Sequence, residues 1–171
     1  MRLATVLTPM LAISLAGSSA ESQHARVGRL AELTFETGSA KLGITEEFAP
    51  KLGEVVGWAK ENPDGLIVLD GHTDAVGGSP YNVQLSLRRA KAVQRELIAI
   101  GIDPAMIVIA AYGEESPSGK GNDRRVVVWG TRAGLDAVVA RTMRGGHAVI
   151  WSGVKTPIDL APQPGVVVTR R

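Results

Sequence analysis

The chain has no cysteine among its 171 residues. No disulfide framework is available, no thiol can act as nucleophile, and no leader can end in a lipid-bearing Cys, so the core alone must stabilise the fold. Aromatic residues make up 4%, histidines number three, and the formal net charge is only +2. So small an excess of positive charge leaves no footprint for nucleic acid. Long apolar runs are also missing, apart from LATVLTPMLAISLAG after Met1-Arg2, and Thr5, Thr8, Pro9 and Ser14 interrupt that one. It falls short of the ~20 residues that a membrane span needs. A positive start, a short apolar stretch and the small residues SSA before Glu21 predict a secretory signal over residues 1–20, cut after Ala20, the alternative being a retained anchor. Residues 21–29 then form a short linker, no integral span is expected after cleavage, and the mature chain works outside the cytoplasm.

What is present is a globular composition, 44% hydrophobic and 21% charged. LAELTF, Leu30 to Phe35, reads as a strand. Thr45 is placed to cap a helix with Glu46 and Glu47 in its first turn, and Phe48, Leu52, Val55, Val56 and Ala59 form its apolar face. Asn62-Pro63-Asp64-Gly65 stops it. LIVL, Leu66 to Leu69, suits a buried strand. Ser79 and Pro80 open a second helix with the stripe Val83, Leu87, Ala90, Val93, Leu97, and Gly101 stands at its C-terminal cap position. MIVIAAY, Met106 to Tyr112, and RVVVWG, Arg125 to Gly130, complete the strands. The order β-α-β-α-β-β predicts an α+β two-layer sandwich, with two helices packed on one face of a mixed sheet. Residues 131–171 follow as a C-terminal appendage that packs on the sheet or extends it, with LDAVVARTM as a short helix and HAVIW and GVVVTRR as two further strands.

The stretch GHTDAVGG, Gly71 to Gly78, puts polar groups at the mouth of the second strand. His72 and Asp74 share one face of an extended segment, but two ligands make no metal site and no other His-rich cluster accompanies them, so no metal and no cofactor is expected. GEESPSGKG, Gly113 to Gly121, fails as a phosphate loop: five residues rather than four separate Gly113 from the next glycine, and Gly121 stands where a Ser or Thr should hold magnesium. No Ser sits on a recognisable nucleophile elbow. What remains is Asp74 with Arg89, fifteen residues later in the second helix and about 13 Å along its axis from Pro80. Arg89 either lies over the sheet edge as a structural side chain, or is held at fixed separation from Asp74 to read a zwitterion.

GHTDAVGGSPYNVQLSLRRAKAVQRELIAIGI, then IVIAAYGEESP, then NDRRVVV closely resembles the OmpA-like, peptidoglycan-binding domain of bacterial envelope proteins. The family pattern is G-H-T-D-x-x-G, Y-N-x-x-L-S-x-R-R-A, Y/F-G-E-x-x-P and R-R-V, and all four pieces occur in order. LTFETGSAKL is similar to the family's opening strand and loop, with Thr37 where a second acidic residue often stands. The resemblance covers Leu30 to Gly130 and implies non-covalent, non-enzymatic recognition of peptidoglycan through the meso-diaminopimelate of its stem peptide. It implies that Asp74 receives the ammonium and Arg89 the carboxylate, with Asn82 at the start of the second helix and Leu85 lining the pocket. Phe35 and the backbone from Glu36 through Thr37 to Gly38 would cover the ligand, Arg124 would stand close to the pocket, and Thr73 counts among the ligand-binding residues. Asp123 replaces the usual Asn before the Arg pair. Neither a β-barrel nor a lipid-bearing Cys is expected here, and the residues after Gly130 have no counterpart in the pattern.

The implied setting is the periplasm of a diderm bacterium, at the cell wall or peripheral to the outer membrane. Two alternatives accompany it. One is an envelope interaction protein whose partner binds residues 131–171; the other is a wall hydrolase using Asp74 and the Glu114-Glu115 pair as acid and base.

Overall fold

The computed structural model describes residues 28–43, 45–114, 123–144 and 149–152, with backbone alone at Arg144 and over 149–152. The signal and most of the linker, Glu115, and the GVVVTRR segment lie outside these residues. The elements run β1 (Gly28–Thr34), α1 (Phe48–Glu61), β2 (Leu66–His72), α2 (Ser79–Ala99), a 3-10 turn (Pro104–Met106), β3 (Ile107–Gly113), β4 (Arg125–Thr131), α3 (Leu135–Arg144) and β5 (Val149–Ser152). Among the described residues the sheet has five strands in the order β1-β4-β2-β3-β5. β2 pairs parallel with β3, and the β1–β4, β2–β4 and β3–β5 pairs are antiparallel. This is the expected α+β arrangement, a mixed sheet with α1 and α2 on one face.

Alternation along the strands explains the layers. Ile67, Leu69, Ile107, Ile109, Val126 and Val128 point inward, to a core shared with Phe48, Leu52 and Val55 of α1 and Val83, Leu87, Val93 and Leu97 of α2. The alternate positions Leu66, Val68, Val108 and Trp129 are also apolar and need a cover of their own. α3 supplies it through Leu135, Val138, Val139 and Met143. The C-terminal segment therefore both packs on the sheet and, through β5, extends it.

Helix ends differ in detail from the sequence pattern. Thr45 does not cap α1; its carbonyl accepts from the Phe48 N–H at 2.9 Å in a turn, and the helix starts after Glu47. Pro50 is tolerated there because first-turn N–H groups have no intrahelical partner. At α2 the cap position falls on Gly78, one residue before Ser79, with Pro80 in the first turn. Gly101, at φ +97°, closes α2: its N–H reaches Ile98 and the Ile102 N–H reaches Leu97, both at 3.0 Å. β1 also begins inside the expected linker, at Gly28.

Close contact fixes α2 against the ends of β2 and β3. A Cβ on Gly71 would stand 2.5 Å from the Ser86 carbonyl oxygen, so only glycine admits the helix at this distance. Ser86 Oγ accepts from the Gly113 N–H at 3.0 Å and donates to the Val83 carbonyl at 2.8 Å, pinning α2 to the end of β3.

Candidate ligand-binding site

Three segments converge at the ends of β1 and β2: the loop from Phe35 to Ser39, the turn from Thr73 to Gly78, and the first half of α2. Arg89 ties them together. Its side chain is fully buried. Nε donates to the Ser39 carbonyl at 2.8 Å, Nη1 to the His72 carbonyl at 2.9 Å and Nη2 to the Glu36 carbonyl at 3.1 Å. The guanidinium also lies over the Phe35 ring, 5.4 Å from its centroid. A guanidinium has five N–H groups, so two of these lack an acceptor among the described residues. Burial pushes Arg89 below its ordinary pKa; Asp74 opposes that shift and Arg124 adds to it, which marks these three charges as close neighbours.

Asp74, half-buried, accepts from Arg124 Nη1 on Oδ2 at 3.1 Å. Arg124 also reaches the Phe35 carbonyl with Nε at 3.3 Å, while its own carbonyl accepts the Phe35 N–H at 2.8 Å. Thr73 is buried, its N–H on the Gly113 carbonyl at 2.8 Å and its Oγ1 without a partner among the described residues. Asn82 is fully buried: Nδ2 donates to the Glu114 carboxylate, and Oδ1 has no partner among the described residues. Leu85 is buried. Glu36, Thr37 and Gly38 are exposed, with Gly38 at φ +66°. The ion pair and the hydrogen bonds thus join Asp74, Arg124 and Phe35, and separately Arg89 and Glu36. The Arg89 guanidinium over the Phe35 ring links the two sets, and Asn82 and Thr73 connect through the end of β3. Thr37 and Leu85 make no polar contact with the group.

A cleft of about 800 Å³ opens beside this cluster, lined among others by Phe35, Glu36, Ser39, Lys41, Lys51 and Arg124. Neither Asp74 nor Arg89 lines it. His72 turns to the opposite face of the sheet, stacking on Tyr112 with ring centroids 5.2 Å apart. Burial first, and Arg125 second, hold its imidazole down at about 4, so it is neutral at physiological pH. Among the described residues no group of three His, Asp or Glu side chains is gathered as for a metal ion, and no helix is long and apolar enough to cross a membrane.

The OmpA family model matches residues 34–126. The chain belongs to the OmpA family. Relatives include the peptidoglycan-associated lipoprotein of Pseudomonas putida, 49% identical over 34% of this chain and 36% of that protein. The lipoprotein of the same name from Haemophilus influenzae is 33% identical over 57% of this chain and 64% of its own length. The chain thus spans less than two thirds of either. Among solved structures, the peptidoglycan-associated lipoprotein of Burkholderia pseudomallei superposes with a TM-score of 0.51 and 27% identity, over 60% of this chain and 90% of that one.

Within this OmpA domain several working groups escape sequence reasoning. The carbonyls of Ser39, His72 and Glu36 carry no side-chain signal at all. Tyr81, half-exposed, has its hydroxyl 4.0 Å from where a Cβ on Gly38 would sit, so α2 faces the Phe35–Ser39 loop here. The link from Glu114 to Asn82 is foreshadowed only by both residues belonging to the family pattern.

Proposed function

We propose that this chain is a non-catalytic peptidoglycan-binding module of the cell envelope, working in the periplasm and locating its protein at the wall. Its ligand is the meso-diaminopimelate of the stem peptide, whose D-centre carries an ammonium and a carboxylate. The observation that carries this reading is the meeting of one carboxylate, Asp74, with two guanidinia, Arg89 and Arg124. The ligand ammonium takes the place of Arg124 on Asp74. Its carboxylate offers charge-assisted bonds to Arg89, which has N–H groups to spare, with Arg124 alongside. Arg89 is covered by the carbonyls of Glu36 and Ser39, so entry requires that loop to give way. The names of the relatives support the partner, and Phe35, Thr37, Gly38, Thr73, Asn82 and Leu85 make up the surroundings in which the charges are read.

A stem peptide with lysine at this position lacks the D-centre, leaves the guanidinia unpaired and binds more weakly. The test is co-sedimentation with purified sacculi, with free meso-diaminopimelate as competitor. Pelleting that the free amino acid abolishes is expected, and Asp74→Ala should remain in the supernatant. Unchanged pelleting of that variant would sink the proposal. The partner-binding alternative loses ground because residues 131–144 and 149–152 are used in covering and extending the domain's own sheet. The hydrolase alternative loses ground because Glu114 is occupied by the Asn82 amide.

A further inference from the structure

We infer that Glu114 is a positioning residue of this site: it orients the Asn82 amide so that Oδ1 becomes an acceptor for an N–H donor of the ligand. This rests on the peptidoglycan reading and adds a residue to it. Glu114 directly follows β3, where Gly113 has φ +59° and a Cβ there would stand 3.0 Å from the Val83 nitrogen. The end of β3 is therefore pressed against the first turns of α2, and the contact between Glu114 and Asn82 is built into the packing.

The chemistry leaves one orientation for the amide. An ionised carboxylate only accepts, so Asn82 must turn its NH₂ toward Glu114. Oδ1 then faces the other way, toward the turn that carries Asp74; a Cβ on Gly77 would come within 3.3 Å of it. Oδ1 is buried and meets no donor among the described residues, and the same holds for Thr73 Oγ1 beside Asp74. Native structures rarely leave buried acceptors unpaired. Together with the Asp74 carboxylate they make three acceptors on one turn and the helix after it, and an ammonium has three N–H groups to offer. Reversing the Asn82 amide would put a donor toward a cationic ligand and remove one of the three.

The test exchanges the partners. Sacculus co-sedimentation is measured for wild type, Asp74→Ala, Glu114→Ala, Asn82→Asp and the double variant Asn82→Asp/Glu114→Gln, with an unfolding midpoint for each. Glu114→Ala should weaken binding about tenfold, the loss of one charge-assisted hydrogen bond. Asn82→Asp should weaken it similarly, because two carboxylates then face each other. In the double variant the amide introduced at position 114 donates to one oxygen of the new carboxylate and frees the other as acceptor, so binding should recover to within about threefold of wild type. If Glu114→Ala binds as wild type, or the double variant recovers its midpoint but not its binding, the positioning role is overturned while Asp74→Ala still reports on the site. If wild type itself does not pellet, the peptidoglycan reading has failed, and this inference with it.

Discussion

Arg124–Asp74 and Arg141–Asp70 are guanidinium–carboxylate pairs of almost equal length, 3.1 and 3.2 Å, one carboxylate on the turn after β2 and the other on the strand itself. Their arginine side chains are also alike, 30% and 32% exposed; the carboxylates differ, 22% against 8%. Asp74 sits on the turn after β2, open to solvent on one side. Asp70 points to the outer face of β2 beneath α3, where Arg141 reaches both its oxygens and lies over the Trp129 ring. Burial raises Asp70 to about 6, and the charge and hydrogen bond of Arg141 recover only part of the desolvation cost. Length therefore says little about what such a pair does. Under the proposed function the wetter carboxylate is the exchangeable one, while the drier one clamps the C-terminal helix to the sheet.

Arg89 should break the simple division between site and scaffold, with the largest effect on stability. It belongs to the site by position but to the fold by burial, since three carbonyls depend on it. Arg89→Ala is expected to cost about 3–4 kcal/mol in urea unfolding, beside losing wall binding. Arg89→Lys keeps the charge but not the planar fork, and should recover part of the stability and little of the binding.

The Asp70 clamp should respond asymmetrically. Arg141→Ala leaves a buried carboxylate alone and is expected to cost about 2–3 kcal/mol at pH 7, moderated because Arg141 is a third exposed. Asp70→Asn removes the desolvated charge and leaves Arg141 to water, for less than about 1 kcal/mol. Equal costs at pH 7 would mean that the pair is no drier than the one at Asp74. Acidification should narrow the gap, because protonating Asp70 relieves the uncompensated charge.

Asp70 and His72 also share one strand face with opposite linkage. Asp70 has its folded pKa raised, from 3.8 to about 6, so its contribution is fully present below pH 3.8 and is lost as pH rises through 6. His72 has its folded pKa lowered, from 6.5 to about 4; its contribution is present above pH 6.5 and is lost as pH falls through 4. The two slopes nearly cancel over pH 4 to 6. Wild type should therefore show a nearly flat unfolding free energy there. Asp70→Asn should uncover a fall of up to about 1.4 kcal/mol per pH unit on acidification. A flat profile in that variant would show that His72 is not held neutral by burial.

Periodicity makes much of this legible. The α2 stripe Val83, Leu87, Ala90, Val93, Leu97 and the residues Ile67, Val68 and Leu69 of LIVL are buried as the pattern requires, with Leu66 half-buried at the strand's start. The first helix starts later than the pattern implies because Thr45-Glu46-Glu47 has cap chemistry, whereas the chain makes a separate turn before Phe48. β2 runs on to His72 because Asp70 and Gly71 are polar or small for reasons outside the strand pattern: one meets Arg141, the other admits Ser86. In the site, Asp74 and Arg89 announce themselves by charge. That Arg89 is held by backbone carbonyls, and that Asp74 pairs with Arg124 fifty residues away, are facts of folding with no local signature. α3 is half legible: its apolar positions mark a helix, but only the apolar outer face of β2, β3 and β4 says where it must lie.

Asp74→Asn should have the smallest effect on the fold. The substitution keeps the shape and a weaker hydrogen bond to Arg124, and a pair this exposed contributes at most about 1 kcal/mol. Urea unfolding is expected to move by less than that, and the difference should shrink further as salt screens the wild-type pair. Binding should respond in the opposite proportion, because a ligand ammonium meets a neutral amide in place of a carboxylate with a guanidinium still beside it. A variant with wild-type stability and no retention on sacculi would separate the exchangeable pair from the clamp at Asp70. A large stability loss at Asp74 would instead place both pairs in the scaffold, and with it would go the reason for regarding the turn after β2 as a site.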